Sequence, residues 1–180
     1  MDSSKMTYQE FEASYPLILG WIQQTIEVYK PKTRSVASLG FQRLPQYFSP
    51  ELLAYAKVTY VDVVPTPPLS QLGLNQFADF ENMGKGGITL LDTFFISQEM
   101  QTDETIHFHE LVHVIQWKLL GPKRFIALYA DGLERFGYRN SPLEVMAYQA
   151  QAQFEKSSQP VDVEELVKTC LETPRTSTPL

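Results

Sequence analysis

The sequence predicts an α+β fold, mostly helical with a small β-sheet. Three observations carry this: several segments with apolar residues at helical spacing, two short runs rich in β-branched and aromatic residues, and no internal repeat or shift of composition. A length of 180 residues suits one domain over 1–180 with a single core. With 43% hydrophobic and 20% charged residues, the composition is that of a globular chain.

From Tyr8 to Tyr29, residues Phe11, Leu17, Trp21, Ile22 and Ile26 recur at roughly helical spacing. This reads as an opening amphipathic helix, with Pro16 as a place to enter it afresh and Pro31 as its stop. Ser49, Pro50 and Glu51 supply an N-cap, a first-turn proline and an early acid, so SPELLAYAK reads as a short helix. Val58 to Val64 then reads as a strand. The segment from Pro65 to Gly87 carries three prolines and four glycines and reads as mostly loop. After it, ITLLDTFFI reads as one strand. Asp103 caps a helix from Glu104 to Leu120, which Gly121 and Pro122 close. Helices over Lys123 to Phe136 and Pro142 to Lys156 follow, then a short one from Val161 to Leu171. Residues 172–180 read as a loose tail.

Composition also excludes function classes. Fifteen basic against 21 acidic residues give a net charge of −6, which leaves no field for a phosphate backbone, so no nucleic-acid partner is expected. No apolar run approaches the 20 or so residues a membrane span needs, and the start MDSSKMTYQEFEASY lacks the pattern of a secretory signal. The expectation is a cytoplasmic protein with no membrane partner. Cys170 is the only cysteine, which rules out an internal disulfide and a thiolate metal cage.

The chemistry lies in HFHELVHVIQW, which contains His-Glu-x-x-His at His109 to His113. Residues four apart share a helix face, so the two imidazoles converge on one point, half of a tetrahedral zinc site. Glu110 lies beside them and is placed to act as a general base on a metal-activated water. All three histidines of the chain fall within His107 to His113, a clustering that incidental scatter rarely produces. His107, two residues before His109, projects from nearly the opposite face and reads as a helix-start or supporting residue. A catalytic zinc needs a third protein ligand. No histidine remains for it, and Leu119 and Gln116 stand where the metzincin pattern needs a histidine and a glycine. That leaves a carboxylate, and Asp131 and Glu134 are among those the chain offers.

Here the sequence resembles the gluzincins, zinc peptidases with two histidines on one helix and a glutamate on a later one. It is most similar to short, single-domain bacterial gluzincin-like proteins. The residues that carry the likeness are the motif itself, Leu120-Gly121, Phe125 with Tyr129, Gly137-Tyr138, and Pro142-Leu143-Glu144-Val145-Met146-Ala147, within Gly87 to Phe154. The resemblance implies a small zincin-like domain with its motif region over 87–156, Glu144 as third zinc ligand beside His109 and His113, and ITLLDTFFI near the cleft, where an extended substrate could pair with it. Ser141 to Glu144 also reads as a capping box, a competing use for that carboxylate, and Glu134 lies 21 residues after His113, near the thermolysin-like spacing. The aspartate that such relatives carry four residues after the glutamate is replaced by Tyr148 after Glu144, or by Tyr138 after Glu134. Tyr138 and Tyr148 are candidates to donate a hydrogen bond to a developing oxyanion, and Tyr138, on a turn after Gly137, is the freer. Leu111, Val112, Val114, Ile115 and Trp117 read as core.

The expected function is a zinc-dependent metallopeptidase acting on a peptide or protein substrate, with Glu110 and Tyr138 as catalytic residues. The alternative on the same scaffold is a zinc-binding but inactive regulatory or interaction protein, favoured by the missing acid. A metal-free interaction module is the third reading.

Overall fold

The computed structural model describes residues 5–157 and 159–172, and places six α-helices and four short strands among them. Helix α1 (Tyr8–Tyr29) begins at a capping box that the sequence reading passed over. Thr7 Oγ1 accepts from the Glu10 amide at 3.2 Å and the Glu10 carboxylate accepts from the Thr7 amide at 2.7 Å. The helix runs through Pro16 without a fresh start. An interior proline costs about 3 kcal/mol, whereas burying one large apolar side chain contributes about 1.5–3 kcal/mol, so Phe11, Ile18 and Ile22 on the inner face together outweigh it.

Strand β1 (Arg34–Ser35) precedes helix α2 (Pro50–Tyr55), where Ser49 Oγ accepts from the Leu52 amide as its motif predicts. Strand β2 (Lys57–Val61) follows, shorter than the predicted 58–64 run. The Pro/Gly-rich segment is mostly loop but holds one short helix, α3 (Ala78–Asn82). ITLLDTFFI is a hairpin rather than one strand: β3 (Gly87–Leu90) turns through Leu91 and Asp92 into β4 (Thr93–Ser97). Leu91 takes φ 60°, a left-handed conformation that a leucine seldom signals. The sheet order is β1-β2-β4-β3, with β2 and β4 parallel and the other pairs antiparallel.

Helix α4 (Glu104–Phe136) spans the two predicted helices. Its hydrogen bonding merges them, but Gly121 at φ 72° and ψ 164° breaks it into arms over 104–120 and 122–136. Helix α5 (Pro142–Lys156) folds back along α4, and α6 (Val163–Glu172) closes the described chain. The predicted loose tail lies outside the described residues, apart from Glu172 at the end of α6.

Every residue from Phe94 to Ile96 is inaccessible to solvent, because β4 is covered on both faces. Phe94 and Ile96 pack with Phe108, Leu111 and Ile115 of α4 and with Ala147, Ala150 and Phe154 of α5. Phe95 points the other way, towards α1, Trp117, Phe125 and Leu143. The Phe108 and Phe154 rings stack at 4.5 Å and hold α4 against α5. No helix among the described residues is long and apolar enough to cross a membrane.

Gly121 occupies a backbone region that costs a residue with a Cβ about 1–3 kcal/mol. Gly121→Ala is therefore expected to lower stability by about that amount in urea unfolding. An unchanged midpoint would show that the break between the arms does not depend on glycine.

Candidate metal centre

Residues His107 to Trp117 are buried without a break, so this stretch of α4 is enclosed on all sides and its polar side chains must find partners inside. His109 and His113, one turn apart, face the same way with ring centroids 4.9 Å apart. His109 Nδ1 lies 3.0 Å from Gln151 Oε1 on α5, and His113 Nδ1 lies 2.8 Å from Gln116 Oε1. Gln116 is itself oriented, because its Nε2 donates to the Leu143 carbonyl at 3.0 Å. An amide oxygen only accepts, so each Nδ1 carries the hydrogen and each neutral ring presents its Nε2 lone pair.

Those two Nε2 atoms lie 3.1 Å apart. Glu144, on the first turn of α5, brings Oε2 to 3.3 Å from His109 Nε2 and Oε1 to 3.3 Å from His113 Nε2. The three residues offer ligand atoms within 4.8 Å of one another, all buried. An ion held tetrahedrally by bonds of about 2.0–2.1 Å sets its ligand atoms about 3.3 Å apart, so these donors stand at the spacing such an ion requires. Glu144 Oε1 accepts from Tyr129 Oη at 2.7 Å, whereas Oε2 is buried without a hydrogen bond. A buried carboxylate oxygen facing imidazole lone pairs is costly unless a positive charge sits between them. Without an ion, a proton takes that place. Burial opposes charge on His113, but the Glu144 carboxylate outweighs it and pushes the imidazole up to about 9. Burial likewise opposes charge on Glu144, and the two histidines more than reverse it, holding the carboxyl well below its usual range.

The capping box predicted at Ser141 does not form. Ser141 caps α5 without a side-chain hydrogen bond, its Oγ is buried without a partner, and Glu144 turns to the histidines instead. The rival carboxylates are elsewhere: Glu134 accepts from the Met6 amide at 2.8 Å, and Asp131 pairs with Arg135 on an exposed face. His107 is on the far side of α4, bridging the Asp103 carbonyl at 2.7 Å and Tyr60 Oη at 2.9 Å. Cys170 is free and exposed.

Glu110 sits beside this centre with Oε2 accepting from Thr89 Oγ1 of β3 at 2.6 Å. Its other oxygen lies against Gly87, where a Cβ would approach Oε1 to 2.5 Å, so a larger residue there would displace the carboxylate. Burial raises the Glu110 pKa and Glu144 adds repulsion, although the histidines and Thr89 pull the other way. β3 thus borders the centre, but its Thr89 carbonyl already accepts from Trp117 Nε1 at 3.1 Å and is not open to an added strand. Tyr138 lines the same cavity as Glu110, His113 and Glu144. Burial foremost, then Glu144, raises its pKa, so its hydroxyl keeps a proton to donate. Tyr148, whose ring packs on His109 at 4.6 Å, neighbours that hydroxyl.

The sequence reading missed the part that Gln116, Gln151 and Tyr129 play in holding the three ligands. Gln116 is three residues after His113, and Gln151 follows Glu144 by seven, two helical turns, so both spacings were legible. Tyr129 reaches Glu144 across the helix pair, which no local spacing reveals. Comparison with protein-family models, curated proteins and solved structures gives no match to this chain. The motif and the buried triad therefore carry the functional argument by themselves.

Partners that orient ligating histidines typically contribute 10- to 100-fold to metal affinity. Gln116→Leu removes the acceptor at His113 Nδ1 and is expected to weaken metal binding by about that factor in competition with a chelator. Unchanged affinity would show that the histidine is held by packing alone.

Proposed function

We propose that this protein is a zinc-dependent metallopeptidase. The observation that carries the reading is the buried convergence of His109, His113 and Glu144 with Glu110 alongside, all but His109 bordering one cavity. Two neutral imidazoles and one carboxylate form the donor set of a catalytic zinc, which leaves a position open. When bound, such an ion supplies Lewis acidity, bringing the pKa of water at that position towards about 7 and polarising a carbonyl oxygen.

The chain's own groups complete the chemistry. Thr89 and Gly87 fix Glu110 so that its carboxylate can take a proton from the attacking water. The raised pKa of Glu110 suits it to hold that proton and then deliver it to the leaving nitrogen. Tyr138, protonated throughout the ordinary pH range, is the donor for the oxyanion that forms as the carbonyl is attacked. Gln116, Gln151 and Tyr129 keep the three ligands in place.

A second reading, zinc binding without turnover, is favoured by one observation. Neutral amides, and no carboxylate, back both histidines. Elemental analysis of protein purified without a histidine tag separates the readings when joined to a peptide-library assay. About one zinc per chain is expected, lost in His113→Ala and in Glu144→Ala. Glu110→Gln is expected to keep the zinc and to lose peptide cleavage by about 10²- to 10⁴-fold, the usual worth of a general base. Full zinc with no cleavage by the unaltered chain would leave the second reading, and no zinc uptake at all would sink both.

A further inference from the structure

A cavity of about 110 Å³ opens beside the centre. Its walls come from Phe11, Ile18 and Ile22 of α1 and from Leu74, Phe77 and Phe125. An apolar cavity of about 150 Å³ takes up benzene, so this smaller one suits a single aliphatic side chain rather than an aromatic ring. Glu110, His113 and Glu144 border one part of the same cavity, and Lys85 borders it too.

Lys85 is the one ammonium among the lining residues, and it is half-buried. It donates to the Phe80 carbonyl, lies 3.5 Å from the Met83 carbonyl and stands 4.0 Å over the Phe80 ring. It forms no ion pair with any carboxylate among the described residues. Glu81, the nearest in sequence, is engaged by the amide and hydroxyl of Ser70. Glu144 and Glu81 attract it from a distance, but a half-buried ammonium with no carboxylate in contact is left at a cost that an anion placed directly against it would relieve. Burial already brings its pKa down to about 8.

We propose that Lys85 and this cavity form a subsite for a carboxylate joined to an apolar group, namely the last residue of a peptide with a free C-terminus. The inference rests on the peptidase reading for its reaction, but not for its binding chemistry. The terminal side chain fills the cavity, its α-carboxylate meets Lys85, and its amide bond lies at Glu110. Since the cavity holds one side chain, one residue is released. The oxygen of water bonds to the carbonyl carbon, the C–N bond breaks, and the proton accepted by Glu110 passes to the departing nitrogen. The products are a peptide shortened by one residue and a free apolar amino acid.

The test uses the full chain, with and without zinc, beside Lys85→Met and Lys85→Arg. Binding of 4-methylpentanoate and of 4-methylpentanamide is measured by calorimetry. The unaltered chain and Lys85→Arg are expected to hold the acid at least tenfold tighter than the amide, and Lys85→Met to show no preference. Equal binding of the two by the unaltered zinc-free chain, or a preference that survives in zinc-free Lys85→Met, overturns the subsite. In parallel, the zinc-loaded chain is given acetyl-Ala-Ala-Leu and its C-terminal amide, and release of the last residue is followed. Faster release from the free acid supports the inference in full. If neither peptide is cleaved while the binding preference holds, the peptidase reading falls and the carboxylate subsite stands. If peptides are cut without regard to the C-terminus and the probes bind equally, the subsite falls and the peptidase reading stands.

Discussion

Two imidazole nitrogens and a carboxylate oxygen are brought into one buried space, where a positive charge between them is the condition that makes the arrangement affordable. Much of the surrounding structure serves to maintain that convergence. The histidines come from α4 and the glutamate from α5, so their meeting depends on the pairing of those helices, which the Phe108 and Phe154 stack secures. It also depends on the turn between them. Gly132 has Pro142 Cδ and Ser141 Cβ only 2.9 Å from where its own Cβ would lie, and this close approach delivers Glu144 on the first turn of α5. A larger residue there would push the carboxylate away from the imidazoles.

The first arm of α4 divides its work by face. His107, with Phe108, Leu111, Val112 and Ile115, packs towards the larger core, and its two hydrogen bonds make it a structural histidine. His109, Glu110 and His113 face the centre. Neither face is solvated, which is why the arm carries so few charges: Glu110 is the only acid between Ile106 and Lys118. A carboxylate placed there has no structural excuse in an ion pair, since its partners are a threonine hydroxyl and a glycine. Its burial is a cost that packing alone does not offset.

The order of helices, the caps at Ser49 and Asp103, and the two histidines were legible because each follows from local spacing. The hairpin was not, because its turn uses Leu91 and Asp92 where glycine or asparagine would announce a left-handed residue. The Pro16 ambiguity was resolved by burial on α1, which a residue's neighbours in sequence do not report. Ser141 to Glu144 shows the same limit from the other side. Its pattern is that of a capping box, yet the carboxylate is drawn to the histidines of α4, and the Ser141 amide it would have met donates to the Tyr138 carbonyl instead. Lys85 drew no attention in the sequence, since a lone lysine in a Gly-rich loop reads as solvated until its cavity is seen.

The amides of Gln116 and Gln151 bear on what the centre can do. A carboxylate behind a ligating histidine feeds negative charge towards the metal, and its replacement by an amide keeps the ring oriented without adding that charge. With Glu144 as the only anionic ligand, a divalent ion held here keeps one net positive charge, and its pull on a carbonyl oxygen is correspondingly greater. The neutral backing therefore leaves the Lewis acidity of such an ion intact. What it weakens is affinity, and the deep burial of all three ligands acts against that loss by excluding water from their places.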